Sequence, residues 1–152
     1  MNKLVIIPML PIRMRYSAWW NTVFPSRLRE LLCGTMDVTT PTLLGSTYES
    51  FDNTPSFCQK QVDWEIDWLC YLHNLHLKPS DVVLVLDCTT PGLIGSYITT
   101  HKPCHFMGIC HGTSFNRLDI FSVTRNTFDA AILREYDKVL VASEYHKLKL
   151  AT

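Results

Sequence analysis

Val82-Val83-Leu84-Val85-Leu86, followed by Asp87-Cys88-Thr89-Thr90, is the stretch that decides the fold. Every position of the run is apolar, so it does not alternate as a half-solvated strand would. A strand apolar at successive positions is buried on both faces, which is the condition of a parallel sheet covered by helices. Lys3 to Ile7 (KLVII), stopped by Pro8, reads the same way, as do His105 to Cys110 (HFMGIC) and Lys138 to Ala142 (KVLVA). Met36 to Leu44 is a weaker strand, interrupted by Pro41.

Helical patterns lie between these runs. SRLRELL begins at Ser26, an expected N-cap, and Gly34 is the expected stop. Thr54-Pro55 opens the longest helix, with Val62, Ile66, Leu69, Leu72, His73 and Leu75 at three- and four-residue spacing. Asp63, Glu65 and Asp67 fall in its first half, where carboxylates suit the helix dipole. A short helix is expected from Pro91 to about Thr100, another over Thr124 to Tyr136, and a last one from Glu144, capped by Ser143. The alternation predicts one α/β domain over residues 1–152: Rossmann-like, three-layered, with a mostly parallel sheet and helices on both faces.

Composition agrees with a packed domain. Hydrophobic residues make up 47% and charged residues 18% of the 152 positions, against the low hydrophobicity and high net charge of disorder. The formal net charge of zero provides no global field to draw in nucleic acid, although Arg13, Arg15, Arg27 and Arg29 crowd the first part of the chain. The apolar run Leu4 to Leu10 is too short for a secretory signal or a membrane span, so a cytoplasmic protein with no membrane span is expected. Cys33, Cys58, Cys70, Cys88, Cys104 and Cys110 are read as reduced, because a chain able to build a core has no need of disulfide staples. Cys104-His105 and Cys110-His111 repeat at a spacing of six, but without CxxC or HxxxH pairs no metal site is expected.

Ligands of open parallel sheets bind outside the carboxyl ends of the strands. That rule selects Pro8 to Trp20, then Asp87, Thr89 and Thr90, then His111 to Asp119, and finally Ser143, Glu144, Tyr145 and His146. The loop from His111 is the richest. Gly112 lets backbone approach a ligand, Thr113, Ser114 and Asn116 suit sugars or phosphates, and His111 can serve as acid or base. Asp87 either binds a substrate hydroxyl or caps the turn after its strand. The helix start at Pro91-Gly92 offers N–H groups that can hold an anion. Arg13 and Arg15, beside Tyr16, Trp19 and Trp20, can grip a phosphate and stack on a ring, or the aromatic residues can be core. GxGxxG, GxxxxGK[ST] and GxSxG are all absent, which disfavours dinucleotide, P-loop and serine-hydrolase chemistry.

Three segments carry a resemblance. GICHGTSFNRLDIF (108–121) resembles the His-Gly/Ala-Gly/Thr-Ser-x-x-x-x-Asp loop of a group of GT-B type glycosyltransferases, many of them phage or bacterial. KVLVASEYHKLKL (138–150) resembles the strand-to-helix segment that follows it in that group, and IRMRYSAWWNTVFPSRL (12–28) is similar to their Arg-Tyr-x-x-x-Trp-x-x-x-Phe-Pro segment. Members of the group fold as two Rossmann-like domains facing a cleft. The resemblance implies that this chain is the first, acceptor-side domain, with the donor-binding domain absent or supplied by a second chain. It implies no covalent cofactor, a nucleotide-sugar donor as co-substrate, and an acceptor such as a modified DNA base, a sugar or a lipid. His111 would lie near the donor sugar. His111 and Asp87 are the base or acceptor-orienting candidates. Arg13, Arg15, Tyr16, Thr89, Gly112, Thr113, Ser114, Asn116, Asp119, Glu144 and His146 are the substrate-binding ones. Two other readings stay open: a stand-alone Rossmann-type module that binds a nucleotide or nucleotide sugar without catalysis, and a domain that completes its cleft with another chain.

Overall fold

Five strands pair in the order β2-β1-β3-β4-β5, every pair parallel, in a computed structural model of the chain. The structure describes residues 1–12, 16–41, 55–89, 92–112 and 128–150. The strands are β1 (Asn2–Ile7), β2 (Met36–Thr39), β3 (Val82–Val85), β4 (His105–Cys110) and β5 (Lys138–Val141). The helices are α1 (Ser17–Leu31), α2 (Pro55–Asn74), α3 (Leu93–Ile98), α4 (Phe128–Leu133) and α5 (Glu144–Leu150). The expected three-layer, Rossmann-like α/β fold is present, and the sheet is all-parallel. Arg13, Arg15, Thr113, Ser114, Asn116 and Asp119 lie outside the described residues, as does the cap Thr54.

β3 is the middle strand, paired to β1 through Leu4↔Val82 to Ile7↔Val85 and to β4 through Val82↔His105 to Val85↔Gly108. Successive side chains point to opposite faces. Val5, Ile7, Val83, Val85 and Phe106 therefore pack with Trp64, Trp68 and Leu72 of α2, Ile94 and Ile98 of α3 and Ile132 of α4. Leu4, Ile6, Leu84, Leu86 and Ile109 face the other way, against Trp20, Phe24 and Leu28 of α1. Gly108 keeps β4 thin where it must be thin: a Cβ there would stand 2.6 Å from the Cβ of Cys88 and 2.7 Å from its Sγ.

Two expectations need correction. Helix α1 begins at Ser17 rather than Ser26, and Pro25 lies inside it. A proline costs an interior turn roughly 3 kcal/mol. Trp20, Phe24, Leu28 and Leu32, spaced by four, form one stripe against the second core and offset that cost. Ser26 is no cap; its hydroxyl donates to the Thr22 carbonyl at 3.0 Å. Helix α2 turns Leu72 and the half-buried Leu69 to the core as expected, with the half-buried Leu75 just past its end, but the rest of its buried face differs. Its buried face carries Gln61, Trp64, Glu65, Trp68 and Leu72, while Ile66 is exposed. Two tryptophans bury far more area than Val62 and Ile66 would, and burial area sets the phase. Glu65 thus sits in the interior and not on a solvated face near the helix start.

The opposite, N-terminal ends of the strands are tied by aspartates. Asp81, 1% exposed, accepts the backbone N–H groups of Lys3 and Lys78, each at 2.8 Å. Those two bonds, aided by the lysine charges, outweigh burial and hold its carboxyl below the usual range. Before β5, burial pushes the Asp137 carboxyl up. The Lys102 ammonium at 2.9 Å and the Phe106 N–H at 2.8 Å more than reverse that, leaving it lowered. The native Asp81 pKa lies below its unfolded value of about 3.9. Its contribution is therefore complete above that value and fades as pH falls through the native one. Asp81→Asn is expected to cost about 2 kcal/mol at neutral pH. In urea titrations its deficit relative to the parent should shrink below about pH 4; a deficit unchanged down to pH 2 would contradict the lowered carboxyl.

Candidate functional site

The chain reverses its direction of progress across the sheet between β1 and β3, since β2 lies on one side of β1 and β3 to β5 on the other. The carboxyl ends of two such strands diverge and leave a crevice, the ligand position of doubly wound sheets. Here the crevice is lined by Ile7, Pro8, Met9 and Leu10 after β1, Gln61, Trp64, Glu65 and Trp68 of α2, Val85 and Asp87 of β3 and its end, and Ile94 of α3. It is small: the centre of a water-sized sphere has about 10 Å³ to occupy, roughly the room of one water molecule.

The loop leaving β1 is gripped from both faces. Met9 N–H donates to Asn21 Oδ1 at 2.9 Å, and Asn21 Nδ2 donates back to the Met9 carbonyl at 2.8 Å. From the other face, Trp64 Nε1 donates to the Pro8 carbonyl at 3.2 Å. Ser17, buried, bonds both the N–H and the carbonyl of Ile12 at 3.2 Å. A β1–α1 loop without these bonds would carry unsatisfied buried backbone. None of these side chains has a local sequence signature, so Asn21, Ser17 and Trp64 were not legible as site-forming residues.

On the α1 flank of the rim stands His111. A carbonyl oxygen only accepts, so His111 Nε2, 2.8 Å from the Leu86 carbonyl, carries a proton. The ring packs against Tyr16 (centroids 5.4 Å apart) and edge-on to Trp20 (4.9 Å, 74°). Trp19 and Phe24 continue the aromatic group, Trp19 being about half exposed. The Tyr16–Trp20 segment and the His111 loop, about ninety residues apart in sequence, thus form one cluster. Thr89 joins the loops after β3 and β4: its hydroxyl lies 2.8 Å from the Gly112 carbonyl and 3.3 Å from Asp87 Oδ1, and the Thr89 N–H also reaches that carboxylate. Asp87 therefore both caps its turn and lines the crevice. Glu144 is exposed and pairs with Lys147 of its own helix at 3.5 Å. His146 belongs to α5, and its side chain lies outside the described residues.

The start of α3 is not open to anions. Gly92 N–H donates to Glu65 Oε1 at 3.1 Å and Leu93 N–H donates to Glu65 Oε2, with Gly92 at a positive φ of 87°. The expected anion seat is filled by the protein's own carboxylate. The buried thiols offer no nucleophile either. Burial, then the Cys110, Asp87 and Glu65 charges, pushes the Cys88 thiol well up, and burial with Asp81 and Asp137 raises Cys104 to about 11. Cys33, Cys70, Cys88, Cys104 and Cys110 are free thiols, and among the described residues no three His, Cys, Asp or Glu side chains gather into a metal-ligating group. No described helix is long and apolar enough to cross a membrane.

These features define a doubly wound, Rossmann-like α/β domain with a divided rim: an aromatic–histidine flank over α1 and a crevice with carboxylates over α2. Against family models, curated proteins and solved structures, the chain finds no match. If Glu65 is the cap of α3, Glu65→Ala leaves two buried N–H groups unpaired and should cost about 3 kcal/mol. Glu65→Gln, which can satisfy only one of them, should cost roughly half as much. Equal and negligible losses in thermal denaturation would show that the carboxylate does not hold the turn.

Proposed function

We propose that this chain is the acceptor-side domain of a GT-B type glycosyltransferase, which transfers a sugar from a nucleotide-sugar donor when joined to a donor-binding domain. The observation that carries the reading is the meeting of two of the three segments that bear the resemblance, as Tyr16 and Trp20 close on His111 at the strand ends. Aromatic faces beside hydrogen-bonding groups suit sugar rings, whose C–H faces are apolar and whose edges are hydroxyl.

One helix start on the rim also counts against a nucleotide phosphate seated there. A Rossmann-type nucleotide site places phosphate on backbone N–H groups at a helix start. At α3 those groups are already bound to Glu65, and Asp87 adds a second carboxylate to the crevice. Carboxylate oxygens accept hydrogen bonds from the hydroxyls of a neutral polyol, which a diphosphate does not offer.

In the transfer step, an acceptor oxygen forms a bond to the anomeric carbon as the bond from that carbon to the nucleoside diphosphate breaks. The acceptor's proton must leave. With Nε2 of His111 donating to Leu86, the lone pair of the neutral ring is on Nδ1, and that nitrogen takes the proton. The electron pair of the broken bond leaves with the diphosphate, which the donor-side domain would neutralise. Expected behaviour follows from the division of labour. In calorimetric titrations, methyl glycosides should bind the chain and uridine, guanosine or adenosine diphosphate should not. His111→Ala should weaken the glycoside by about tenfold in a chain still folded at the titration temperature, with a modest fall in melting temperature from the lost bond to Leu86. Nucleotide binding without glycoside binding would replace this reading with the nucleotide module.

A further inference from the structure

The crevice at the ends of β1 and β3 contains unmet hydrogen-bonding demand. Trp68 lines it and is 1% exposed, and its indole N–H is buried with no acceptor among the described residues. A buried donor left without a partner costs about 1–3 kcal/mol, so such groups call for a ligand or an ordered water. Gln61 lines the same crevice. It is 8% exposed. The contrast with Trp64 is direct, because that neighbouring indole is satisfied by the Pro8 carbonyl.

The chemistry of what fits is narrow. An anion accepts but has no proton to donate to the carboxylate oxygens of the lining. An ammonium group has donors only and cannot accept from the Trp68 N–H. An alkyl group satisfies neither Trp68 nor Gln61. A hydroxyl does both, accepting from the indole and donating to the Gln61 carbonyl oxygen or to Asp87. Room for about one water molecule suits a single hydroxyl rather than a whole ring.

We propose that this crevice is a hydroxyl-recognition subsite, in which Trp68 donates to, and Gln61 and Asp87 accept from, one hydroxyl arm of a sugar or polyol. The class of ligand rests on the acceptor-side reading above; the hydroxyl chemistry rests on the crevice alone. Trp68 and Gln61 lie on α2 and carried no functional expectation from sequence, because a tryptophan in a helix reads as core.

The test is a proton–nitrogen NMR titration of the full chain, uniformly labelled, with methyl α-glucoside, methyl α-mannoside, methyl α-galactoside and glycerol. The chain has four tryptophans, and the indole signal lost in Trp68→Phe identifies Trp68. At least one probe should shift the Trp68 indole saturably, with the Trp64 indole moving less. Gln61→Leu should weaken that titration by roughly tenfold at an unchanged melting temperature. If glycosides shift the His111 and Gly112 amides but leave the Trp68 indole still, the subsite is refuted and the acceptor-side reading stands. A Trp68 shift without any change at His111 supports the subsite and counts against the role of His111. No Trp68 shift with any probe, alone or with cross-relaxation to a water that none displaces, refutes the subsite and makes the crevice a structural water site.

Discussion

The rest of the molecule depends on β3 being paired on both edges and buried on both faces. Parallel neighbours occupy both its hydrogen-bonding edges, and its side chains feed two separate cores, Val83 and Val85 on one side and Leu84 and Leu86 on the other. Both cores need covers. Helix α1 supplies one, and α2, α3 and α4 supply the other. With helices on both faces and strands running one way, the exits of β1, β3 and β4 collect on one rim, and a crevice opens where the strand order reverses.

The two ends of the sheet use their polar groups differently. At the amino ends, Asp81 and Asp137 close backbone donors of neighbouring strands, which is a stability function. At the carboxyl ends, Asn21, Ser17, Thr89, Glu65 and His111 also bind backbone, but they do so around an opening. There the bonds set the tautomer of His111, seat the α3 turn and shape the loop after β1. The chain forms these bonds by itself, which lowers the entropic cost of recognition.

Much of this was legible in the sequence, for physical reasons. Strands apolar at every position, such as Val82 to Leu86, announce themselves, and their ends point to the rim. His111, Tyr16 and Asp87 followed from that rule. Helix boundaries and phases were harder. Pro25 hid the first nine residues of α1, because a proline signals a break that the stripe of Trp20, Phe24, Leu28 and Leu32 overrides. Along α2 the aliphatic spacing found Leu69, Leu72 and, just past its end, Leu75, but included the exposed Ile66 and missed Trp64 and Trp68, and Glu65, a typical surface residue, was buried by a partner 27 positions away. A long-range bond of that kind leaves no trace in local pattern. Arg13, Arg15, Thr113, Ser114, Asn116 and Asp119 lie outside the described residues, so their expected roles rest on sequence and resemblance.

The central proposal is that this half of the cleft receives a neutral hydroxylic acceptor, with the N–H groups at the start of α3 held by Glu65 rather than open to phosphate. The most direct measurement follows the backbone amide signals of Gly92 and Leu93 while inorganic pyrophosphate is added at millimolar concentration. The account predicts that neither signal moves saturably, since both N–H groups stay bonded to Glu65. A saturable shift of both, abolished by no change in ionic strength, would mean that phosphate displaces the carboxylate. The domain would then be a nucleotide-binding half, and the acceptor-side reading would be wrong.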